Sequence, residues 1–238
     1  MDEIERINGC TSWIDLEFVE RGRTPCESID VGIQLHVAGL SLSNTKQALD
    51  RLGVERSRTA INNWMQKADV QPSSDTEPNH IAVDETVIRV NDERHWLYAA
   101  VDPDTNEILN VRLFQTRTTQ PTVRFLRELQ QEQQLEQVTF LVDGATHLAS
   151  ALDRPGLDFR YENHGNRNRI ERVFREVKRR TSLFSNTFSN ASLSSAESWL
   201  ETFAGWWNRC QTQHDPRHPS SVTASTVARS MWTVPACI

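Results

Sequence analysis

Three short apolar runs follow one another between residues 81 and 114, and they constrain the fold more than any other feature of the chain. The runs are rich in β-branched, aromatic and aliphatic residues and cover residues 81–90, 94–102 and 107–114. The turn-forming pieces Asn-Asp-Glu and Pro-Asp-Thr-Asn separate them. Strands joined by such short turns form an antiparallel meander. The sequence therefore predicts a three-stranded antiparallel unit at the start of a larger sheet.

After the meander, helical and strand-like segments alternate along the chain. Helical patterns cover about residues 122–134, 145–152 and 168–180, and short strand-like runs end at Asp143 and span residues 158–162. The order β-β-β-α-β-α-β-α is typical of an α/β, ribonuclease-H-like fold with a mixed sheet. A tryptophan-rich helix from about residue 195 to 210 is expected to pack on this core.

A polar stretch at residues 70–79 is typical of a linker, because it holds two prolines and four Ser, Thr or Asn residues. It divides the chain into an N-terminal helical domain, residues 1–69, and a larger domain, residues 80–211. A tail of residues 212–238 follows. A length of 238 residues suits this division and leaves room for a sizeable core.

Within the N-terminal domain, residues 41–68 predict two helices around a short turn. A serine can cap the first helix, which stops at Gly53, and the second has an apolar stripe that starts at Ile61 with spacing i, i+3, i+4, i+7. Its other face carries side chains that can contact base edges and phosphates, namely Arg58, Thr59, Asn62, Asn63 and Gln66. This pattern is typical of a helix-turn-helix with a recognition helix. An ordinary helical hairpin with a solvated polar face is the alternative.

The charge of the chain is unevenly distributed. It has 26 basic and 32 acidic residues, and its net charge of -6 by itself argues against a nucleic-acid partner. Residues 160–180, however, contain eight basic and three acidic residues, so a local basic face remains on an acidic body. Only three of the basic residues are lysine. A halophilic host favours such an acidic, lysine-poor composition, and GC-rich codon usage is the alternative.

Hydropathy predicts the compartment. No run of eighteen or more apolar residues occurs, the mean hydropathy is -0.56, and the first residues are acidic and polar where a signal peptide would be basic and then apolar. We therefore expect a soluble cytoplasmic protein that does not use a membrane.

Two acidic residues lie within or at the end of predicted strands, where burying a charged side chain is costly. Asp84 is in the middle of the first strand, and Asp143 ends the fourth strand, directly before Gly144. An isolated carboxylate at such a place is unfavourable unless it is paired or coordinates a cation. Because the first and fourth strands are neighbours in the predicted fold, both side chains can point at one spot. A strand-end acid and an Asp-Gly turn are the simpler alternatives.

A third acidic residue comes from the basic helix at residues 168–180. Glu171 lies on the border of the apolar stripe of this helix, with Arg175 and Lys178 stacked beyond it at i+4 and i+7. Glu176 falls on the opposite border. An acid at the edge of the core with two bases above it suits a metal-binding carboxylate beside a bound phosphate backbone. An ordinary helix ion pair is the alternative for Glu171.

Several motifs carry a resemblance to a known family. They include Ala-Val-Asp-Glu-Thr around Asp84, Phe-Leu-Val-Asp before Gly144, and His-Gly-Asn-Arg-Asn-Arg-Ile-Glu-Arg around Glu171. With these motifs the chain resembles the DDE transposases of insertion sequence family 6, in their haloarchaeal branch, from about residue 8 to 210. The resemblance implies that Asp84, Asp143 and Glu171 are the catalytic and metal-binding acids, and that Lys178 lies near the DNA backbone.

The resemblance also implies a reaction and its partners. Three carboxylates would hold two Mg²⁺ ions, with Mn²⁺ as a substitute, for 3′-end cleavage and strand transfer into target DNA. The helix-turn-helix would recognise the terminal inverted repeats of the element. Because two DNA ends must be brought together, a homodimer or a higher oligomer is expected in the synaptic complex.

The sequence leaves three alternatives open. The family usually places its third acid in the mid-thirties after the second, whereas Glu171 is 28 residues after Asp143 and Glu176 is 33 residues after it. Glu176 therefore fits the spacing, although Leu183 stands at i+7 from it in place of a base. A catalytically inactive, transposase-derived DNA-binding protein would keep the helix-turn-helix alone. A nuclease of the same fold would cut branched or hybrid substrates without strand transfer.

Overall fold

The structure is a computed structural model that describes residues 24–68, 70, 72, 77–133, 135, 137–153, 157–162, 165–183, 188 and 191–214. The first 23 residues of the predicted N-terminal domain, half of the predicted linker (residues 71 and 73–76) and residues 215–238 of the predicted tail lie outside the described residues. None of the described helices is both long enough and apolar enough to cross a lipid bilayer.

A five-stranded mixed sheet forms the centre of the larger domain. Its strands are β1 (His80–Val90), β2 (Glu93–Val101), β3 (Ile108–Phe114), β4 (Thr139–Val142) and β5 (Phe159–Tyr161). The order across the sheet is β3-β2-β1-β4-β5. Neighbours among the first three strands run antiparallel, whereas β4 runs parallel to both β1 and β5. The predicted ribonuclease-H-like mixed sheet is confirmed, because the antiparallel meander and the later parallel strands join at β1.

Helices cover both faces of this sheet. Helices α4 (Thr119–Glu132) and α5 (Thr146–Asp153) pack on one face, and α6 (Asn168–Leu183) and α7 (Leu193–His214) pack on the other. Successive strand residues point to opposite faces. Ala82 of β1 accordingly belongs to the core under α6 and α7, while Ile81 and Val83 belong to the core under α4 and α5.

One helix boundary differs from the sequence pattern. Helix α4 begins at Thr119, three residues before the predicted start, because Thr118 is extended and Pro121 falls in the first turn, where a proline costs no hydrogen bond. The other elements of the larger domain lie within a few residues of their predicted ranges.

Three helices precede the sheet. They are α1 (Cys26–Ala38), α2 (Leu42–Arg51) and α3 (Arg58–Lys67). Ser41 and Ser57 cap α2 and α3 by accepting hydrogen bonds of 3.1 Å from the backbone N–H groups of Asn44 and Ala60. A small apolar core, with Leu49 from α2 and Ile61 from α3, also includes Val31 of α1.

The three-helix unit is attached to the larger domain by packing as well as by the chain. Ile29 and Ile33 of α1 and Met65 of α3 belong to the same apolar cluster as Trp199 and Phe203 of α7. The core therefore continues from the N-terminal helices into the face of the sheet that α6 and α7 cover. A domain boundary at residues 70–79 stays a prediction from composition.

Candidate active site

The parallel pairing of β1 and β4 positions the first two predicted acids. Ala82 of β1 pairs with Leu141 of β4. Extending this register by two residues sets Asp84 beside Asp143, which directly follows β4. Asp84 is buried on the α6 side of the sheet, and Asp143 is partly exposed at the strand end. The register of two strands that are far apart in sequence thus brings both carboxylates to one edge of the core.

The three predicted acids converge on one arginine. Arg167 ends a short 3-10 turn, Gly165–Arg167, that leads into α6. Its Nη2 donates a hydrogen bond to Asp84 Oδ2 at 2.5 Å and lies 3.5 Å from Asp143 Oδ2. Its Nη1 lies 3.9 Å from Glu171 Oε1. The acids from β1, from the end of β4 and from the start of α6 therefore surround a single cationic group.

Arg167 is a site residue that the sequence analysis missed. The only signal for it in the sequence is its position four residues before Glu171, a spacing at which an arginine and a glutamate meet on one side of a helix start. Its side chain is 9% exposed, which is unusual for an arginine. Burial at this place follows from the carboxylates around it, which a sequence pattern does not reveal.

A groove beside the acids contains the two predicted phosphate-binding bases. The groove has a volume of about 660 Å³ and is lined by Asp84, Glu85, Thr86, Glu171, Phe174, Arg175, Lys178 and Arg179. The side chain of Glu171 is 57% exposed, so it lies at the open edge of the groove. Arg175 and Lys178 follow one and two turns later on α6. The groove thus contains two of the three predicted acids, Asp84 and Glu171, together with both predicted phosphate-binding bases.

Glu176, the alternative third acid, faces a different part of the molecule. Its side chain is 5% exposed and forms ion pairs with Arg179, at 2.8 Å, and with Arg180. The Arg180 guanidinium also lies over the rings of Phe203 and Trp206 of α7. Glu176 therefore belongs to the contact between α6 and α7, and Glu171 is the one of the two that lines the groove.

A second buried carboxylate lies next to Asp84 on the opposite face of β1. The side chain of Glu85 is 2% exposed, with Arg117 Nη1 at 3.3 Å from Oε1 and His147 Nε2 at 3.3 Å from Oε2. The Arg117 guanidinium in turn lies 4.7 Å from the centre of the Trp96 ring. Sequence patterns do not reveal this cluster, because its members come from β1, from the loop before α4 and from α5.

Burial shifts the acid–base properties of both neighbouring carboxyls. Burial raises the pKa of Asp84 to about 6, although the charge of Arg167 opposes this. Burial likewise raises the pKa of Glu85 to about 7, against the charge of Arg117. The pKa of His147 is lowered, first by burial and then by Arg117. Without a further cation, Asp84 and Glu85 hold their protons more strongly than exposed carboxyls do.

We expect Glu85→Gln to stabilise the metal-free protein above about pH 7 and to leave its stability unchanged below about pH 4.5. The folded pKa of Glu85, about 7, exceeds the ordinary value of 4.5, so the folded state favours the protonated form. Protonation of Glu85 therefore contributes to the stability of the folded state. This contribution is complete below the ordinary pKa and is lost as the pH rises through 7. Thermal unfolding in EDTA from about pH 3.5 to pH 8.5 measures the difference in Tm between Glu85→Gln and wild type.

The exposed Glu93→Gln change on β2 is the matched control, and we expect it to show no such pH dependence. A difference between Glu85→Gln and wild type that stays constant over this range would contradict the prediction.

The predicted recognition residues lie on the outer side of α3. Arg58, Thr59 and Asn63 are exposed, and Asn62 and Gln66 are partly exposed, whereas Ile61 and Met65 are buried. Trp64 packs inward, with its ring 3.1 Å from the point where a side chain on Gly32 would begin. The polar face is therefore available to a partner, and its role in reading DNA remains a prediction.

Comparisons with known proteins agree with these features. Residues 79–208 match the family model of the DDE domain of IS240 transposases. An uncharacterized protein of Methanocaldococcus jannaschii is 28% identical over 197 residues, which cover 82% of this chain and 92% of that protein.

Two solved structures are also similar. The catalytic core domain of BIV integrase is 11% identical and covers 51% of this chain and 81% of its own, with a TM-score of 0.38. The HTLV-2 integrase catalytic core domain in complex with magnesium is 14% identical and covers 52% of this chain and 84% of its own, with a TM-score of 0.39. The family match spans more than half of the chain and includes Asp84, Asp143 and Glu171. The chain belongs to the DDE domain family of transposases.

Proposed function

We propose that the protein is the DNA transposase of an insertion sequence, with Asp84, Asp143 and Glu171 as its catalytic and metal-binding residues. The observation that carries the proposal is the convergence of these three acids, from β1, β4 and α6, on one cationic group. Membership in the DDE domain family supports it. The motifs around the three acids further favour insertion sequence family 6 and its haloarchaeal branch.

The residues present fit a divalent metal ion. Within the described part of the chain, no three acidic, histidine or cysteine side chains already stand together as a ligand set. Three carboxylates nevertheless surround the Arg167 guanidinium, so the site already holds one positively charged group. Carboxylate oxygens are the ligands that Mg²⁺ and Mn²⁺ take in proteins. Asp84, Asp143 and Glu171 would hold such ions, two of them in the proposed site.

Divalent ions bound there would supply activation of the attacking water or 3′-hydroxyl and stabilisation of the negative charge that develops on the leaving oxygen. The protein's own residues perform the remaining tasks. Arg175 and Lys178 line the groove next to Glu171 and would hold the DNA backbone by charge. The buried position of Asp84 keeps one ligand fixed, while the exposed Glu171 leaves the groove open to a DNA strand.

The outer face of α3 is the proposed reader of the terminal inverted repeats. Its arginine, threonine, asparagine and glutamine side chains can donate to and accept from base edges in the major groove. Since two element ends must meet one target DNA, the proposal includes a homodimer or a higher oligomer in the synaptic complex. The cytoplasm, where the element DNA lies, is the proposed compartment.

The test is a cleavage and strand-transfer assay with the full-length protein at high salt. Labelled duplexes that carry the inverted repeats of its own element are incubated with Mg²⁺, Mn²⁺ or EDTA, and the products are separated on a denaturing gel. We expect cleaved 3′ ends and joined products with either ion and none with EDTA. Specific binding without cleavage would favour the inactive DNA-binding protein, and cleavage without joining would favour a nuclease.

We expect Lys178→Gln to weaken DNA binding by roughly five- to tenfold near 0.1 M salt and to reduce the salt slope of the logarithmic affinity by about one. Lys178 lies exposed on α6 in the groove that contains Glu171, so its loss removes one phosphate contact. Titration of a labelled duplex by fluorescence anisotropy at several salt concentrations measures both quantities.

Arg127→Gln is the matched control for this prediction. Arg127 is exposed on α4, which packs on the opposite face of the sheet from α6 and its groove. An unchanged salt slope in Lys178→Gln would exclude this lysine from the DNA contact.

A further inference from the structure

Arg167 occupies the point at which the three acids converge, and this position implies a role in metal binding. We propose that Arg167 is a positioning residue that serves as the internal counter-ion of the acids, competes with divalent ions for them, and turns to a DNA phosphate when those ions bind. Metal and DNA would then bind cooperatively. This inference rests on the proposed function, since it concerns the same three acids.

Charge explains why an arginine is buried there. Asp84 is buried and Asp143 stands beside it, so their like charges repel in surroundings that screen poorly. The Arg167 side chain is 9% exposed, and its guanidinium offsets that repulsion by its contact of 2.5 Å with Asp84. A fixed cation in this position keeps the acids together before any metal arrives.

The hydrogen bonds of the two aspartates indicate which of their oxygens Arg167 and a metal ion would compete for. Oδ1 of Asp84 accepts from the backbone N–H of Glu85 at 2.8 Å, and Oδ1 of Asp143 accepts from the backbone N–H of Ala145 at 2.9 Å. Both Oδ2 atoms face Arg167. Asp84 and Asp143 would hold a metal ion through their carboxylate oxygens, and the two Oδ2 atoms, which accept no backbone hydrogen bond from the described residues, are the ones that now contact Arg167. The guanidinium would have to leave these oxygens for a metal ion to use them.

The surroundings of Arg167 favour such a move. Its Nε–H has no hydrogen-bond partner among the described residues, so the side chain is held mainly by its terminal nitrogens. Gly165, at the start of the same 3-10 turn, has a φ of +78°, a backbone conformation that glycine adopts without strain. Glu171, one turn later, already lines the groove with Arg175. A released guanidinium would add a two-pronged phosphate donor to this basic wall.

The first experiment measures Mn²⁺ binding to the full-length protein without DNA, by isothermal titration calorimetry. We expect Arg167→Gln to bind Mn²⁺ about tenfold more tightly than wild type, because the competing cation is gone. Arg172→Gln, which removes the same charge from an exposed position on α6, is expected to stay within about twofold. Equal or weaker binding in Arg167→Gln would overturn the inference.

The second experiment adds a duplex of the already cleaved element end. We expect the duplex to tighten Mn²⁺ binding several-fold in wild type, and we expect this coupling to fall to near one in Arg167→Gln. A role in folding alone would leave the coupling intact. Coupling of wild-type size in Arg167→Gln would therefore also overturn the inference.

Two further variants keep the outcome interpretable. Arg167→Lys retains one positive charge and serves if the glutamine variant does not fold. We expect its Mn²⁺ affinity to exceed that of wild type, because an ammonium cannot span the acids as a guanidinium does.

Asp84→Asn separates the two proposals. If it binds Mn²⁺ as wild type does, the proposed metal site fails. If it loses Mn²⁺ while Arg167→Gln matches wild type, the counter-ion role alone fails.

Discussion

Asp84→Asn is expected to abolish DNA strand cleavage, with a rate loss of about a thousandfold or more, while the affinity for DNA ends does not fall. The amide keeps the shape of the side chain and removes the charge that holds metal. Because burial raises the pKa of Asp84 to about 6, its charged form is costly to keep, and a neutral amide is tolerated by the fold. We expect the same loss for Asp143→Asn.

The third acid is distinguished by a pair of variants on one helix. Glu171→Gln is expected to lose cleavage to a similar degree without lowering the Tm, since its side chain is 57% exposed. Single-turnover cleavage of a labelled element end in Mg²⁺ measures the rate, and Glu93→Gln on β2 is the control. Full activity in Glu171→Gln would contradict its assignment as a metal ligand.

Glu176→Gln is expected to destabilise the protein strongly, by about 3–5 kcal/mol in the free energy of unfolding. Its side chain is 5% exposed and its partner Arg180 is 4% exposed, so the change leaves a buried positive charge without its carboxylate. Chemical denaturation at pH 7 measures the effect, with Glu171→Gln as the matched control on the same helix. A variant as stable as wild type would refute the importance of this ion pair.

The pH dependence supplies a second readout for Glu176. Burial alone would raise its pKa, but hydrogen bonds from Arg179 and Arg180 outweigh burial and lower it. The stability from this pair is therefore complete above the ordinary glutamate pKa and is lost as the pH falls through the lowered one. We expect the difference in the free energy of unfolding between wild type and Glu176→Gln to become smaller at acidic pH.

The two glutamates of α6 show where the spacing of the sequence misleads. Counted from Asp143, Glu176 fits the usual interval of the family better than Glu171 does. In the structure, the aromatic side chains of α7 cover the side of α6 that carries Glu176 and Arg180. Helical periodicity placed the two glutamates on opposite borders of the apolar stripe. Which of the two glutamates becomes buried depends on where α7 packs, and α7 lies farther along the chain.

Much of the framework of the site follows from local patterns. Alternation along β1, the apolar run before Asp143 and the stripe of α6 each predict one acid at the edge of a buried element. The fold class then predicts that the first and fourth strands are neighbours, and the pairing of Ala82 with Leu141 agrees. Local periodicity was sufficient to place each acid on its own element, because it is a property of short stretches of chain. The adjacency of the two strands followed from the fold class instead, since they are far apart in sequence.

Other features depend on which side chains meet after packing. The burial of Arg167 among three acids, and the contact of Glu85 with Arg117 and His147, join residues from separate elements. The apolar core that continues from the N-terminal helices to α7 also joins residues from separate elements. The sequence by itself determined the order of the elements and the acids they carry, since hydrophobic periodicity is local. Only the tertiary structure decided which basic side chains pair with these acids, because an ion pair depends on how close two groups lie in space and not on their separation along the chain.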